Sequence, residues 1–352
     1  MPVVSQLLDE LAASARQADE TPAWPEASWN VVRRTGILRA NIPAEHGGEP
    51  HSSSELLEAY ESLTGACLTS SFILSQRDAS IRRLLDLGSA DIRAQLLPPL
   101  ARGETFTTVG LSQLTTSRQH GKPSLTVRTD GDATIFDGVI PWVTGASRAE
   151  HVIIGAVSED GGQVLAVLPM DSPGVSVGPP LELMAMQGSM TAEVRCREVR
   201  VARHWLLAAP GQAALQASRG GTGGLETSCL GLGLTAAAVS FLRAEAVRRS
   251  DLTDDAERLD QQRQELRGEL FQMAAGQANP KSAQSLRMRV NTLVLHATQA
   301  ALTASKGSGF LLSHPAQRWA RQALFFLVWS CPATVASATM TYFSNPAACG
   351  LA

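Results

Sequence analysis

The stretch TAEVRCREVRV, residues 191–201, decides how the chain is read. Ala192, Val194 and Cys196 alternate there with Glu193, Arg195 and Arg197. A period of two puts one set on each face of a β-strand, with the apolar set turned towards a core. Upstream, SLTVRT (124–129), ATIFDGVI (133–140), HVIIGAV (151–157) and QVLAVLPM (163–170) are further short runs rich in β-branched residues. Asp130-Gly131, Asp137-Gly138 and the segment from Asp171 to Gly174 supply turn chemistry between them. About six such runs within residues 105–205 predict a compact sandwich or barrel.

On both sides of this block the apolar period lengthens to that of a helix. In residues 1–104, Leu7, Leu8 and Leu11 recur at turn spacing, as do Leu56, Leu57, Tyr60 and Leu63, then Ile81, Leu84 and Leu85. The segment NIPAEHGGEP (41–50) carries Pro and two adjacent Gly and reads as a loop. In residues 206–352, Leu286, Val290, Leu293, Ala297 and Ala300 form one helical stripe, and Leu259, Leu266, Leu270 and Met273 form another. Gly276–Ser282, with Asn279-Pro280, separates the two. Ala323–Trp329 is apolar on every side, as expected of a helix buried between others or between subunits. The order is therefore helical domain (1–104), β domain (105–205), helical domain (206–352), an α+β chain.

Composition narrows the functions open to it. The 352 residues are 44% hydrophobic and 18% charged, which fits a folded chain with a sizeable core. A net charge of −3 leaves no basic excess to neutralise phosphates, which argues against nucleic acid as the main partner. The cysteines, Cys67, Cys196, Cys229, Cys331 and Cys349, are scattered and odd in number with no CxxC pair, so neither a disulfide framework nor a metal site is indicated. The acidic, amphipathic start is unlike a signal peptide, and no apolar run approaches the ~20 residues of a membrane span. The expected setting is a reducing cytoplasm.

Along this plan five segments resemble the acyl-CoA dehydrogenase family of flavoproteins. GILRANIPAEHGG (36–48) is similar to its early Gly-Gly loop, and LGSADIRAQLLPPLARGE (87–104) to its approach to the β domain. FDGVIPWVTGASRAEHVIIGA (136–156) is similar to its flavin-facing strand, and LELMAMQGSMTAEVRCREVRV (181–201) to its last β-strands. KGSGF (306–310) with PAQRWAR (315–321) is similar to its C-terminal Gly-rich turn and the following Arg helix. The resemblance implies an N-terminal helical domain, a central β-barrel-like domain and a C-terminal four-helix bundle. It also implies FAD between β domain and bundle, an acyl thioester such as acyl-CoA as substrate, an electron-transfer flavoprotein or flavin reductase as redox partner, and a homodimer or homotetramer.

Residue by residue, the resemblance assigns Trp142 and Thr144 in PWVTGA to the family's W-x-T signature. A flavin ring takes a flat apolar neighbour, and its N5 takes a donor. Ser112 falls where the family has the Thr of Thr-Glu-Pro, but GLSQLTTSRQHG (110–121) lacks the Glu-Pro-Gly; Ser117 or Arg118 could reach the pyrophosphate. Arg249 matches the Arg that pairs with the FAD pyrophosphate of a neighbouring subunit, although Leu252-Thr253 replaces the usual Phe-Gly. Gln261, or its neighbour Gln262, lies near the ADP-contacting Gln, and Gly307 and Gly309 fit the turn that approaches the adenylate. These departures leave FMN as an alternative to FAD.

The catalytic base is displaced or absent. The family's usual Glu corresponds to Ser330, and no Asp or Glu occurs from Leu270 to Ala352. A minority of the family carries the Glu on an earlier helix, near Gly223 here; Glu226 lies one turn further on. Glu226 is the candidate base, with a helix-start carboxylate as its plain structural reading. His296, on an apolar helix, is a candidate proton shuttle or a core histidine. Three functions stay open: an acyl thioester dehydrogenase, a flavin-dependent monooxygenase of the same fold, and a degenerate binding homologue.

Overall fold

A computed structural model describes residues 3–115, 123–131, 133–211, 224–277, 282–329 and 333–345. The first five helices are α1 (Ser5–Glu20), α2 (Glu26–Arg34), α3 (Ser53–Ala66), α4 (Leu68–Leu87) and α5 (Ala90–Arg102). Their ends follow from local chemistry. The Ser52 side chain accepts from the Glu55 amide while the Glu55 carboxylate accepts from the Ser52 amide, closing a capping box at the start of α3. The Ser89 hydroxyl caps α5 by accepting from the Ile92 amide, and left-handed Gly103 ends it. The loop expected at 41–50 contains a short 3-10 turn, Ala44–His46, closed by left-handed Gly47.

The strands are β1 (Thr107–Gly110), β2 (Leu125–Asp130), β3 (Ala133–Val143), β4 (His151–Ser158), β5 (Gln163–Pro169), β6 (Val175–Pro180), β7 (Ala192–Ala202) and β8 (Leu206–Gly211), with the short helix α6 (Ser112–Thr115) after β1. They form one sheet in the order β6-β7-β3-β2-β4-β5-β8, with β1 beside β4. Most pairs are antiparallel; β1–β4 and β2–β4 are parallel. The alternation at 192–196 holds, with Ala192, Val194 and Cys196 buried. It then slips by one residue at Glu198, whose φ of +50° marks an irregularity, and resumes at buried Val199 and Val201.

The helical part of the C-terminal region comprises α7 (Leu225–Ala246), α8 (Thr253–Ala274), α9 (Ala283–Ala304), α10 (Pro315–Phe325) and α11 (Ala333–Ser344). The apolar 323–329 segment is not one buried helix: α10 ends at Phe325 and the chain continues in tight turns. Phe326 turns inwards and is fully buried, whereas Val328 is 71% exposed. α7 is long and apolar enough to cross a membrane, with a mean hydropathy of 1.5, and most of it is buried within the protein.

Two compact units result. One comprises Met1–Arg16, Ser52–Ser71 and Gly223–Ala352, the other Gln17–His51 and Phe72–Thr222. In the helical unit the core between α7, α8 and α9 uses small residues, Ala238, Ala256, Ala297 and Ala301, which let the helices approach closely. Gly233 on α7 sits against α3; a Cβ there would lie 2.5 Å from the Glu61 carbonyl oxygen. Beside it Glu61 accepts from Arg263 at 2.8 Å and Arg267 at 2.7 Å, and Arg263 also bonds Asp260 at 2.8 Å. In the sheet unit Ile81, Leu84, Leu96, Leu97 and Leu100 pack on Ile153, Leu165 and Val167.

Candidate functional site

The sheet unit carries Ser112, Trp142 and Thr144. Trp142 sits at an irregularity of β3, where the register against β7 shifts between Ile140 and Val143. Its indole is 47% exposed, unusual for so large an apolar surface. Thr144 follows the end of β3, and pairing of Val143 with Ala192 brings it beside Thr191. The Thr144 and Thr191 hydroxyl oxygens are 3.3 Å apart, and Thr191 and Ser189 are 2.9 Å apart. The backbone clamps the same contact: the Gly145 amide donates to the Ser189 carbonyl at 2.8 Å.

That turn is held from behind. Gly145 has φ +65°, and a Cβ there would lie 2.7 Å from Phe106, so only glycine fits. Phe106 belongs to an edge-on aromatic cluster with Trp24 and Trp29. On the opposite strand the 3-10 turn Gln187–Ser189 is flanked by Met186 and Met190, both at positive φ. Such residues persist only where surrounding contacts impose them. Here the Met186 amide donates to Asp19 at 2.8 Å, and Gly188 packs against the Ala18 carbonyl.

Ser112 opens α6 directly after β1. Next to it, the Gln113 side-chain amide donates to the carbonyls of Gly110 at 3.0 Å and Gly155 at 2.7 Å, tying the turn to β4. The Gln113 Oε1 is buried with no partner among the described residues. Ser117 and Arg118 lie outside the described residues.

The helical unit carries the other candidates. Arg249 donates to the Ala304 carbonyl at 2.7 Å and lies 3.4 Å from Asp251, so part of its guanidinium caps the end of α9. Gln261 is exposed and bonds Glu265 at 3.2 Å. Gln262, not Gln261, borders a cavity of about 430 Å³ with Leu266, Met288, Arg289 and His296. Gly309 is pressed against Ser305, whereas a Cβ at Gly307 would meet nothing within 4 Å. Glu226 stands in the first turn of α7, the place its plain structural reading gives it. One turn on, complete burial and then the charges of Glu61 and Glu226 push the Cys229 thiol pKa well up. Partial loss of solvent holds the His296 pKa below the usual imidazole value. His314 caps α10 by accepting from the Ala316 amide at 3.2 Å. Ser330 lies outside the described residues.

Thr144 is thus joined to two hydroxyls that sequence reading missed, Ser189 and Thr191. The available signal was two hydroxylated residues just before an alternating strand, and it becomes specific only once the β3–β7 register is known.

The chain is similar to known proteins in both sequence and fold. Residues 3–104 match the family model described as acyl-CoA dehydrogenase, N-terminal domain. The chain is 25% identical over 335 residues to the "Probable acyl-CoA dehydrogenase YngJ" of Bacillus subtilis, covering 89% of this chain and 88% of that protein. It is also 25% identical over 235 residues to the human mitochondrial short-chain specific acyl-CoA dehydrogenase, covering 64% of this chain and 57% of that protein. Among solved structures, butyryl-CoA dehydrogenase of Megasphaera elsdenii matches with a TM-score of 0.84 at 16% identity, over 98% of this chain and 99% of that one. The architecture is therefore the acyl-CoA dehydrogenase fold. Along most of its length the chain is also similar in sequence to acyl-CoA dehydrogenases, and its N-terminal part matches that family's N-terminal domain.

Proposed function

We propose that the protein is a flavin-dependent oxidoreductase acting on an acyl thioester, with acyl-CoA as the substrate class. The observation that carries this reading is the half-exposed Trp142 indole two residues from the buried Thr144 hydroxyl, on a turn the fold over-determines. A flat aromatic surface beside a positioned donor fits a tricyclic ring with an acceptor nitrogen. Such a group, FAD in this reading, supplies a two-electron acceptor. Trp142 would cover the ring and Thr144 would donate to N5. Ser112 would meet the pyrimidine end. Arg249, Gln261 and the backbone at Gly307 and Gly309 would hold the pyrophosphate and adenylate. An open Gly307 supports that role, while the existing bond from Arg249 to Ala304 leaves only part of the guanidinium for a phosphate.

For dehydrogenation, a base would take the α-proton of the thioester, and the flavin held by Trp142 and Thr144 would supply the acceptor for the β-hydride, leaving an α,β double bond. Glu226 is the proposed base. The electron acceptor is an electron-transfer flavoprotein, with a flavin reductase as electron donor only in the monooxygenase reading below, and the assembly is a homodimer or homotetramer. A second reading, a flavin-dependent monooxygenase of the same fold, is favoured by one observation: the chain has no carboxylate from Leu270 onward.

Anaerobic addition of acyl-CoA to the FAD-loaded protein separates the two. Bleaching of the visible flavin band is expected for the dehydrogenase, and Glu226→Gln should abolish it. Bleaching only by an external reductase, followed by oxygen-dependent product, would replace this reading with the second. Unchanged kinetics in Glu226→Gln would remove Glu226 as base.

A further inference from the structure

Ser189, Thr191 and Thr144 form a line of three buried hydroxyls, with spacings of 2.9 and 3.3 Å. Each hydroxyl has one proton to donate. Two protons make the two internal bonds, so one is left over: it leaves at the Ser189 end, at the Thr144 end, or from Thr191 itself if both neighbours donate to it. Thr191 is buried and has no acceptor beside its hydroxyl other than Ser189 and Thr144 among the described residues, which disfavours the middle arrangement. At the Ser189 end the residue is 0% exposed, and no other partner stands beside its side chain among the described residues. A proton pointing there would be a buried donor without an acceptor, which is unfavourable. At the Thr144 end the residue is 5% exposed and lies two positions from half-exposed Trp142.

We infer that Ser189 and Thr191 are positioning residues: Ser189 donates to Thr191, Thr191 donates to Thr144, and the Thr144 hydroxyl is thereby committed as a donor to the bound ligand. The inference rests on the proposed flavin reading of Trp142 and Thr144. Two features support its direction. Consecutive hydrogen bonds pointing the same way polarise one another, which strengthens the last donor. The geometry is also imposed by backbone: the Gly145–Ser189 bond and the left-handed Met186 and Met190 hold the three side chains together whether or not a ligand is bound. A fixed donor favours the redox form that presents an acceptor at N5, which is the oxidised one, over the form that carries a proton there.

The test uses the full-length protein and FAD, with two readouts: the dissociation constant for oxidised FAD by fluorescence titration, and the midpoint potential of the bound flavin by reductive titration. Thr191→Val keeps the shape and removes the hydroxyl. It should weaken oxidised FAD about five- to tenfold with little effect on the reduced form, the size of one lost hydrogen bond. A tenfold difference between the two forms raises a two-electron potential by about 30 mV. Thr191→Ser should restore both values, and Ser189→Ala should move both in the same direction by less. Wild-type affinity and potential in folded Thr191→Val would overturn the inference. If Thr191→Val does not fold, unchanged values in Ser189→Ala overturn it equally. Thr144→Val separates the two levels of the argument. A shift in Thr144→Val without one in Thr191→Val removes the relay and leaves the flavin reading standing; a wild-type protein that takes up no FAD removes both.

Discussion

The two units hold their candidate residues in different ways. In the sheet unit Thr144 and its neighbours are placed by strand register and by backbone hydrogen bonds, with Thr191 paired across β3 and β7. In the helical unit the candidates stand at helix ends and on helix surfaces, and their side chains already serve the fold. Arg249 caps α9 and Gln261 pairs with Glu265. The candidates in the sheet unit are thus preorganised, whereas those in the helical unit must share their donors between the fold and a ligand. Preorganised groups bind without first surrendering other partners, so the ring-facing residues should dominate ligand affinity.

The largest expected effect tests how the helical unit is held. Glu61 is the shared acceptor for Arg263 and Arg267 in a largely buried network. Glu61→Ala removes charged bonds to Arg263 and Arg267, leaving Arg263 paired with Asp260 alone, and should cost about 2–3 kcal/mol in urea unfolding. A loss under about 1 kcal/mol would mean that the network is solvated. Next comes the turn behind Thr144. Gly145→Ala must fit a Cβ 2.7 Å from Phe106 at positive φ, and should cost about 1–3 kcal/mol. It should also weaken flavin binding, because the clamp on Thr144 shifts with it. Stability loss with unchanged binding would detach the clamp from the site.

The third effect concerns a candidate of the helical unit. Arg249→Ala removes a charged donor, worth about 1.5 kcal/mol or roughly tenfold in affinity. FAD should weaken by that factor and riboflavin, which lacks phosphates, should not. Equal losses for both would show that Arg249 acts through the fold alone. The smallest effect concerns pH. Burial holds the His151 pKa below the usual 6.5, against the opposing charges of Glu150 and Asp171. The unfolded chain therefore binds this proton more tightly. The stability His151 contributes is complete above about pH 6.5 and declines as the pH falls below it. His151→Gln should flatten that part of the urea-midpoint profile, and an identical slope in the variant would contradict the assignment.

Much of the architecture was legible in the sequence because it is written in periodicity. The alternation at Ala192, Val194 and Cys196 and the helical stripe through Leu286, Val290 and Leu293 appear in the fold as β7 and α9, with all six residues buried. Where local pattern does not contain the answer, the reading stopped. The irregularity at Glu198 depends on backbone geometry, and composition cannot distinguish Phe326, which turns in, from Val328, which turns out. Trp142 and Thr144 stood out through family resemblance. Thr191 did not, because its relation to Thr144 spans 47 residues and exists only through the pairing of β3 with β7.

The central claim is that Trp142 and Thr144 present a ready surface for a flavin ring. Its most direct test is a fluorescence titration of the purified protein with FAD, alongside Trp142→Ala and Thr144→Val. Because the indole is half exposed, Trp142→Ala should leave folding stability within about 0.5 kcal/mol of wild type. The account predicts saturable uptake that quenches the flavin, weakened at least tenfold in each variant. Uptake that is absent in the wild type, or identical in all three proteins, would contradict it.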